Sequence, residues 1–442
     1  MRAEISALHS QVSMKLISTS LFSGFSTLAK MLAGFIILKV VAVNLGPNGL
    51  AFCGQFLSLI NIMAVLAGGG ISYGIIRYVA EYARSEKKLK FFLSHISTYV
   101  MIFSFPTMIL GFIFNKSLSI LVFGSTDFTY AIIWISISQW FLALNLVLIS
   151  ILNGFKRIKL LTMINVAGAF IGLVITFFLV SQYQLPGALL AIIAAQTTPL
   201  IISIFCIFRE KWAKYLLNFR FNRKFFMQLS HYSVMNIVSI LTVPVAQIIV
   251  RNDLSHVLSW QAVGYWQAVL RVSDAYLLLV TTALTAYYLP RLAELKDNVS
   301  LKKEMWQTSR IILPAIFIIS LAIYLLRDII LIILYTPEFT AASGLFLYQL
   351  IGDFFRITGW LCTFLLLAKA WTKVYIATEI ILSGLFVIIS HFMVRSYGLI
   401  GITYSFATTY FLYWLLMLGT SLLYFRKTRG QSLTMHNEVL NP

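Results

Sequence analysis

Apolar runs of about twenty residues follow one another along almost the whole chain, separated by short charged segments. An α-helix needs about 20 residues to cross a hydrocarbon core about 30 Å thick. Within lipid each segment must satisfy its own backbone hydrogen bonds, so such runs fold as helices, whereas a barrel would show short alternating strands. The pattern predicts spans at 16–43, 49–71, 90–114, 129–152, 158–182, 186–208, 226–250, 264–289, 310–326, 344–368, 373–394 and 398–425. The expected fold is an all-α integral membrane protein with twelve transmembrane helices. Its composition excludes the water-soluble class: 60% of residues are hydrophobic and 11% charged, against roughly 25% charged in an ordinary soluble domain.

The basic residues orient these spans, because cytoplasmic loops carry an excess of Lys and Arg. With both termini placed in the cytoplasm, 26 basic residues fall on that side. Only Lys116, Arg251, Arg327 and Arg395 fall on the other. The net charge of +19 is thereby spread over the inner loops, where anionic lipid headgroups are the expected neighbours, and it does not call for nucleic acid. The largest outer loops, near 115–128, 251–263 and 327–343, leave no room for a folded domain. In the last of these, Ile329 to Tyr335 is apolar but too short to span and is expected to lie in the interface.

Cys53, Cys206 and Cys362 all fall within spans, which argues against disulfides and a zinc site. No cofactor is called for. "AGGGISYG" at the end of the second span lacks the Lys-Ser or Lys-Thr of a nucleotide loop, and its glycines instead allow a bend or a close backbone approach. Pro244, Pro290 and Pro314 are expected to interrupt or end helices, and His95, His231 and His391 to sit at span ends. The first apolar stretch contains Lys30, is too long for a signal-peptide core and ends in "VNLGPNG", so it reads as a span. Met14 offers a second translation start.

The basic connector "FREKWAKYLLNFRFNRK" divides the chain near its midpoint into lobes of 1–215 and 216–442. Sliding one half on the other by about 214 residues superposes long spans that lead into charged inner loops. Six helices per lobe would make two parallel repeats, an arrangement in which transporters bind substrate between the halves.

Seven charges remain inside the spans: Lys30, Lys39, Arg271, Arg356, Asp274, Asp353 and Glu379. One central charge costs about 2.5 to 3.5 kcal/mol, so all of them facing lipid would cost roughly 17 to 25 kcal/mol. Most must therefore face protein or water. Lys39, near the outer end, can snorkel, and Glu379 is close enough to the inner end to reach water, but Lys30 has no such escape. In the eighth span Gln267, Arg271, Asp274 and Thr281 fall at i, i+4, i+7 and i+14, with Thr285 continuing the face. Gln349, Asp353, Arg356 and Thr363 repeat that spacing in the tenth span with the charges reversed. At matched depth Arg271 would meet Asp353, and Asp274 would meet Arg356. Two readings stay open: ion pairs that tie the helices together, or a wetted wall whose arginines hold an anionic substrate.

The stretches "VGYWQAVLRVSDAYL", "YYLPRLAEL", "YQLIGDFFRITGW" and "LLLAKAWTKVYIATE" resemble the Wzx-type polysaccharide flippases, as do "LAKMLAGFIILKVVAVNLGPNGLA" and "LAGGGISYGIIRYVAEY" in the first half. The O-antigen and enterobacterial common antigen (lipid III) flippases of bacterial inner membranes are the nearest in kind. The resemblance implies a transporter of the multidrug/oligosaccharidyl-lipid/polysaccharide superfamily, with two six-helix lobes around a central cavity. Its substrate would be an oligosaccharide repeat unit on undecaprenyl diphosphate, carried from the cytoplasmic to the periplasmic leaflet and coupled to an ion gradient. Lys30, Arg271 and Arg356 would be the cavity cations and Asp274, Asp353 and Glu379 the coupling or gating carboxylates. Gln267, Thr281, Thr285, Gln349 and Thr363 would line the polar stripe. A polysaccharide polymerase and a chain-length regulator of the same pathway are the protein partners it implies.

Two other functions compete. A drug or small-cation exporter of the same superfamily should favour an acidic cavity, whereas basic residues slightly outnumber acids here. A membrane polymerase or ligase for lipid-linked glycans would need reactive groups on an outer loop, where Lys116 with Asp127, Arg251 with Asp253 and His256, and Arg327 with Asp328 and Glu338 are sparse.

Overall fold

A computed structural model describes the backbone of residues 2–208 and 210–440, and the side chains of 24–427 except 209, 228, 231, 232, 234–236 and 239. The side chains of Met14 and His231 lie outside the described residues. The chain divides into two compact units, Met1–Ile248 and Ile249–Pro442, and the described secondary structure is helical throughout. Nine described helices are long and apolar enough to cross a membrane.

The first unit holds α1 (Arg2–Ala67), α2 (Ser72–Tyr82), α3 (Glu86–Ile113), α4 (Asn115–Phe123), α5 (Thr129–Gly154), α6 (Ile158–Ile207), the short α7 (Ala213–Leu216) and most of α8 (Arg223–Val257). Two of these are too long to be single spans. α1 is broken at Gly46 (φ 61°, ψ −162°), where Pro47 disfavours a helical predecessor and glycine accepts the positive φ. α6 is broken at Gln184 (φ 53°, ψ −132°), two residues before Pro186. Both breaks fall in the short gaps expected between spans. The halves of α6 pack through "GAFIG": a Cβ on Gly168 would lie 2.8 Å from Pro199 Cγ, and one on Gly172 3.0 Å from Ala195 Cβ. Small residues four apart let membrane helices approach where apolar side chains gain nothing over lipid.

The glycine run ends α1. Gly69 and Gly70 take φ of +60° and +64°, and the freed carbonyl of Ala67 accepts a hydrogen bond of 2.9 Å from Ser104 Oγ on α3. A Cβ on Gly70 would sit 2.7 Å from Ile237 Cγ1 and 3.0 Å from the Ser233 carbonyl. Gly70→Ala is therefore expected to lose about 2 to 4 kcal/mol of stability through the left-handed backbone and the overpacking together. Gly74→Ala, with nothing within 4 Å of its new methyl, is the control for a melting measurement in detergent; equal melting of the two variants would refute the argument.

The second unit completes α8 and adds α9 (Trp260–Ala283), a π-helical turn (Leu284–Tyr288), α10 (Leu289–Glu294), α11 (Asn298–Leu334), a 3₁₀ segment (Pro337–Leu345), α12 (Phe346–Ala368), α13 (Thr372–Tyr397) and α14 (Leu399–Leu440). Several expectations are corrected here. Ile329 to Leu334 is not a separate segment but the last turns of α11, a single helix of 37 residues. Helices run straight through Pro244 and Pro314. Pro290 instead enters the first turn of α10 behind the π turn, where its missing N–H costs nothing. Asp297 caps α11 by accepting from Ser300 N at 2.7 Å, and these hydrogen bonds hold its carboxyl below the usual range. Two glycines bring α12 close against α14. A Cβ on Gly352 would meet Phe406 Cδ1 at 2.4 Å, and one on Gly359 would meet Tyr413 Cδ1 at 2.7 Å.

Candidate functional site

Tertiary structure gathers the polar faces of α9 and α12 with residues from α13 and α14. One turn separates Asp353 from Arg356 on α12, so both point to the same side. Arg356 Nη1 lies 3.6 Å from Asp274 Oδ1 on α9. Its guanidinium also stands over two rings, 4.6 Å from the Trp360 centroid and 5.3 Å from that of Tyr410 on α14. Stacking on aromatic faces holds a guanidinium while leaving its in-plane N–H donors free for an acceptor.

Asp353 is fully buried and accepts a hydrogen bond of 2.8 Å at Oδ2 from the Tyr276 hydroxyl. The expected contact between Arg271 and Asp353 is absent among the described ion pairs, whereas the one between Asp274 and Arg356 is present. The reason is local: Tyr276, two residues beyond Asp274 on α9, reaches Asp353 first. Arg271 is half-buried and lies within electrostatic reach of Arg251.

Arg251 is the largest departure from the sequence reading. "RND" after an apolar run suggests the start of a loop, since Asn and Asp favour turns. The helix instead continues to Val257, and Arg251 is 1% exposed. Its Nε donates to Gln267 Oε1 at 3.1 Å, and its guanidinium stands 5.9 Å from the Trp266 ring. Gln267 thus faces protein, bound to a second arginine. At the same end of the unit Asp253 receives both terminal nitrogens of Arg395, each at 3.0 Å, and lies 3.3 Å from His391 Nδ1.

Deeper along α12, Thr363 Oγ1 is 2.7 Å from the Tyr413 hydroxyl. That hydroxyl donates in turn to Glu379 Oε1 on α13 at 3.3 Å. Glu379, expected from sequence to reach water near the inner end of its span, is thereby joined to the stripe. Thr281 and Thr285 are not: their hydroxyls bond carbonyls of their own helix, at Leu277 (2.9 Å) and Thr281 (2.7 Å). Lys30 belongs to the first unit, where it is exposed on α1.

Buried donors and acceptors normally find partners. Arg356 Nε and both amide atoms of Gln349 are buried without a hydrogen-bond partner among the described residues. Such groups suit water or a polar ligand better than a dry interface. The arrangement can therefore present a stacked cation beside two carboxylates, one of them buried under a phenol. The tyrosines and Trp360 escape a search for charged or short polar residues; their signal is an aromatic on α9, α12 or α14 within a turn of such residues.

Comparison with known proteins places the chain in a family. The family model described as "Polysaccharide biosynthesis protein" matches residues 17–296. The Lipid III flippase of Escherichia coli (strain K12) is 30% identical over 418 residues, 94% of this chain and the whole of that protein. The Lipid III flippase of Shigella flexneri matches to the same extent. Among solved structures, an inward-facing MATE family multidrug transporter of the MOP superfamily aligns with a TM-score of 0.77 at 13% identity, over 91% of this chain and 96% of that one. The lipid II flippase MurJ in an inward closed conformation aligns with a TM-score of 0.71 at 17% identity, over 91% and 87%. These structures share the fold alone, an all-α membrane architecture. With a family model spanning more than half of its residues and a relative matched from end to end, this chain belongs to the polysaccharide biosynthesis protein family.

Proposed function

We propose that the chain is a flippase that carries an oligosaccharide on undecaprenyl diphosphate from the cytoplasmic to the periplasmic leaflet of the bacterial inner membrane. The end-to-end match to a lipid III flippase carries this reading. It moves substrate rather than transforming it, by alternating access coupled to an ion gradient. Its two lobes are residues 1–215 and 216–442, with both termini cytoplasmic. Twelve crossings follow if each half of α1 and α6 and the 35-residue α8 are counted as spans. A polysaccharide polymerase and a chain-length regulator would receive the product.

In this reading Lys30, Arg271 and Arg356 hold the anionic headgroup. A diphosphate offers acceptor oxygens that match the guanidinium fork. Asp274 is the carboxylate that Arg356 releases when phosphate takes its place. Asp353 and Glu379, each under a tyrosine hydroxyl, gain or lose a proton as the two states exchange. A ligand or proton drives such an exchange only through different affinities for the two states.

The test measures lipid-linked oligosaccharide on the outer leaflet of cells that lack their own flippase. Supplying this chain should restore it, and supplying Arg271→Ala at equal membrane abundance should not. Normal transport by Arg271→Ala would remove that residue from the binding wall. No restoration with several different repeat units, together with efflux of cationic dyes, would replace the flippase reading with drug export.

A further inference from the structure

The first unit contains a cavity of about 550 Å³, within the range of ligand pockets, roughly 300 to 1,000 Å³. It is walled by α3, α5 and the second half of α6, through side chains that include Leu144, Leu148 and Ile204, and the connector closes one end with Lys214, Leu217 and Phe219. None of the mid-membrane charges of the second unit takes part in it.

Its chemistry selects hydrocarbon. The two serines in the wall are committed to the backbone: Ser97 Oγ donates to Leu93 O at 3.3 Å and Ser104 Oγ to Ala67 O at 2.9 Å. Among the lining residues Phe208 is 82% exposed and Leu217 76%, as suits side chains bathed in acyl chains and not in water.

One end differs. Lys214 is the single charged residue among those that line the cavity. Its ammonium lies 5.5 Å from the Tyr215 ring, and that of Lys90 on α3 lies 5.7 Å from the same ring. The connector is held there by the Arg220 amide, which donates to the Ser94 carbonyl at 3.3 Å, and by the Tyr215 hydroxyl, which donates to Glu86. Two ammoniums thus flank one ring at the end of an apolar cavity, in a connector that also carries Lys211, Arg220, Arg223 and Lys224. Basic pockets of this kind between membrane helices hold anionic lipid headgroups.

We propose that this cavity binds an anionic phospholipid, with an acyl chain between α3, α5 and α6 and its phosphate at Lys214. The lipid fills the gap beneath the connector and fastens that connector to the helices of the first unit. The site shares no lining residue with the α9, α12, α13 and α14 cluster and does not depend on the identity of the transported glycan.

Purified protein in detergent is titrated with dioleoylphosphatidylglycerol or dioleoylphosphatidylcholine, and the lipid retained after size exclusion and the melting temperature are measured. About one phosphatidylglycerol per chain should be retained, with a rise in melting temperature of several degrees, and phosphatidylcholine should do clearly less. Lys214→Gln, an exposed change that leaves the core intact, should lower phosphatidylglycerol retention about fivefold, the effect of one lysine at an anionic surface. Leu144→Trp should fill the cavity and reduce retention of both lipids. Equal retention of the two lipids, or unchanged retention in Lys214→Gln, overturns the proposal whether or not the tryptophan variant folds. Displacement of the bound lipid by an equimolar amount of undecaprenyl phosphate would assign the cavity to the glycan carrier and overturn it as well.

Discussion

Arg356→Ala is expected to bring transport to background while leaving a folded protein in the membrane. The guanidinium is the stacked centre of the α9, α12 and α14 cluster, and its removal takes away the group best placed to exchange Asp274 for a diphosphate oxygen. Losing the guanidinium's pairing with a diphosphate oxygen in a desolvated site would cost about 2 to 5 kcal/mol, or roughly thirtyfold and upward in affinity. The effect on folding should be smaller. Asp274 is 39% exposed, so its side of the pair is partly screened, and Arg356 itself no longer has to be buried. Arg356→Lys keeps the charge but loses the planar fork and much of the stacking, and should transport at an intermediate rate. Arg356→Ala combined with Asp274→Ala separates the two readings of the stripe. Abundance equal to that of the parent protein with transport still at background is the expected result; restored transport would mean that the pair only ties the helices together.

Gly359→Leu is expected to remove most of the folded protein. The glycine lets α14 approach α12 so closely that even a methyl group would stand 2.7 Å from the Tyr413 ring. That ring has nowhere to go: Tyr413 is 1% exposed and its hydroxyl lies between Thr363 and Glu379. Gly352 makes the same kind of contact with Phe406 seven residues earlier, so the interface repeats over two turns on both helices. Leucine would gain roughly 1 kcal/mol of helix propensity. Against this, overpacking typically costs about 1 to 3 kcal/mol, and a branched side chain in a contact already closed to a methyl sits at the upper end. The displaced tyrosine would also leave Glu379 without its donor. Monodisperse yield after solubilisation, at equal synthesis, measures the outcome; a yield equal to that of the parent protein would show that α12 and α14 can separate freely.

Much of the site was legible in spacing alone. Gln349, Asp353, Arg356 and Thr363 share a helix face because 3.6 residues make a turn, and the matching face on α9 brings Asp274 to Arg356 as that spacing requires. What failed was the second pairing. Depth along two helices can be counted from sequence, but the rotation of each about its axis cannot, and that rotation decides whether Arg271 or Tyr276 meets Asp353. Arg251 was misplaced for a related reason. Turn-forming neighbours outweigh helix continuation in local sequence, whereas in the fold Gln267 and Trp266 supply partners that make its burial tolerable. Glu379 gained its place in the cluster only through Tyr413, a residue without charge and 34 positions away.

Hydropathy by itself determined that this is a helical membrane protein, and the uneven distribution of Lys and Arg predicted its orientation. Both rest on free energies of transfer, which are properties of single segments and add along the chain. The breaks at Gly46 and Gln184 were equally local, because proline and glycine restrict or release the backbone wherever they occur. Tertiary structure decided which polar groups within those segments meet: Asp353 with Tyr276, Glu379 with Tyr413, Arg251 with Gln267. Those contacts depend on how closely and at what rotation neighbouring helices pack. Single glycines such as Gly352 and Gly359 set that geometry, and their effect is invisible until the facing side chain is known.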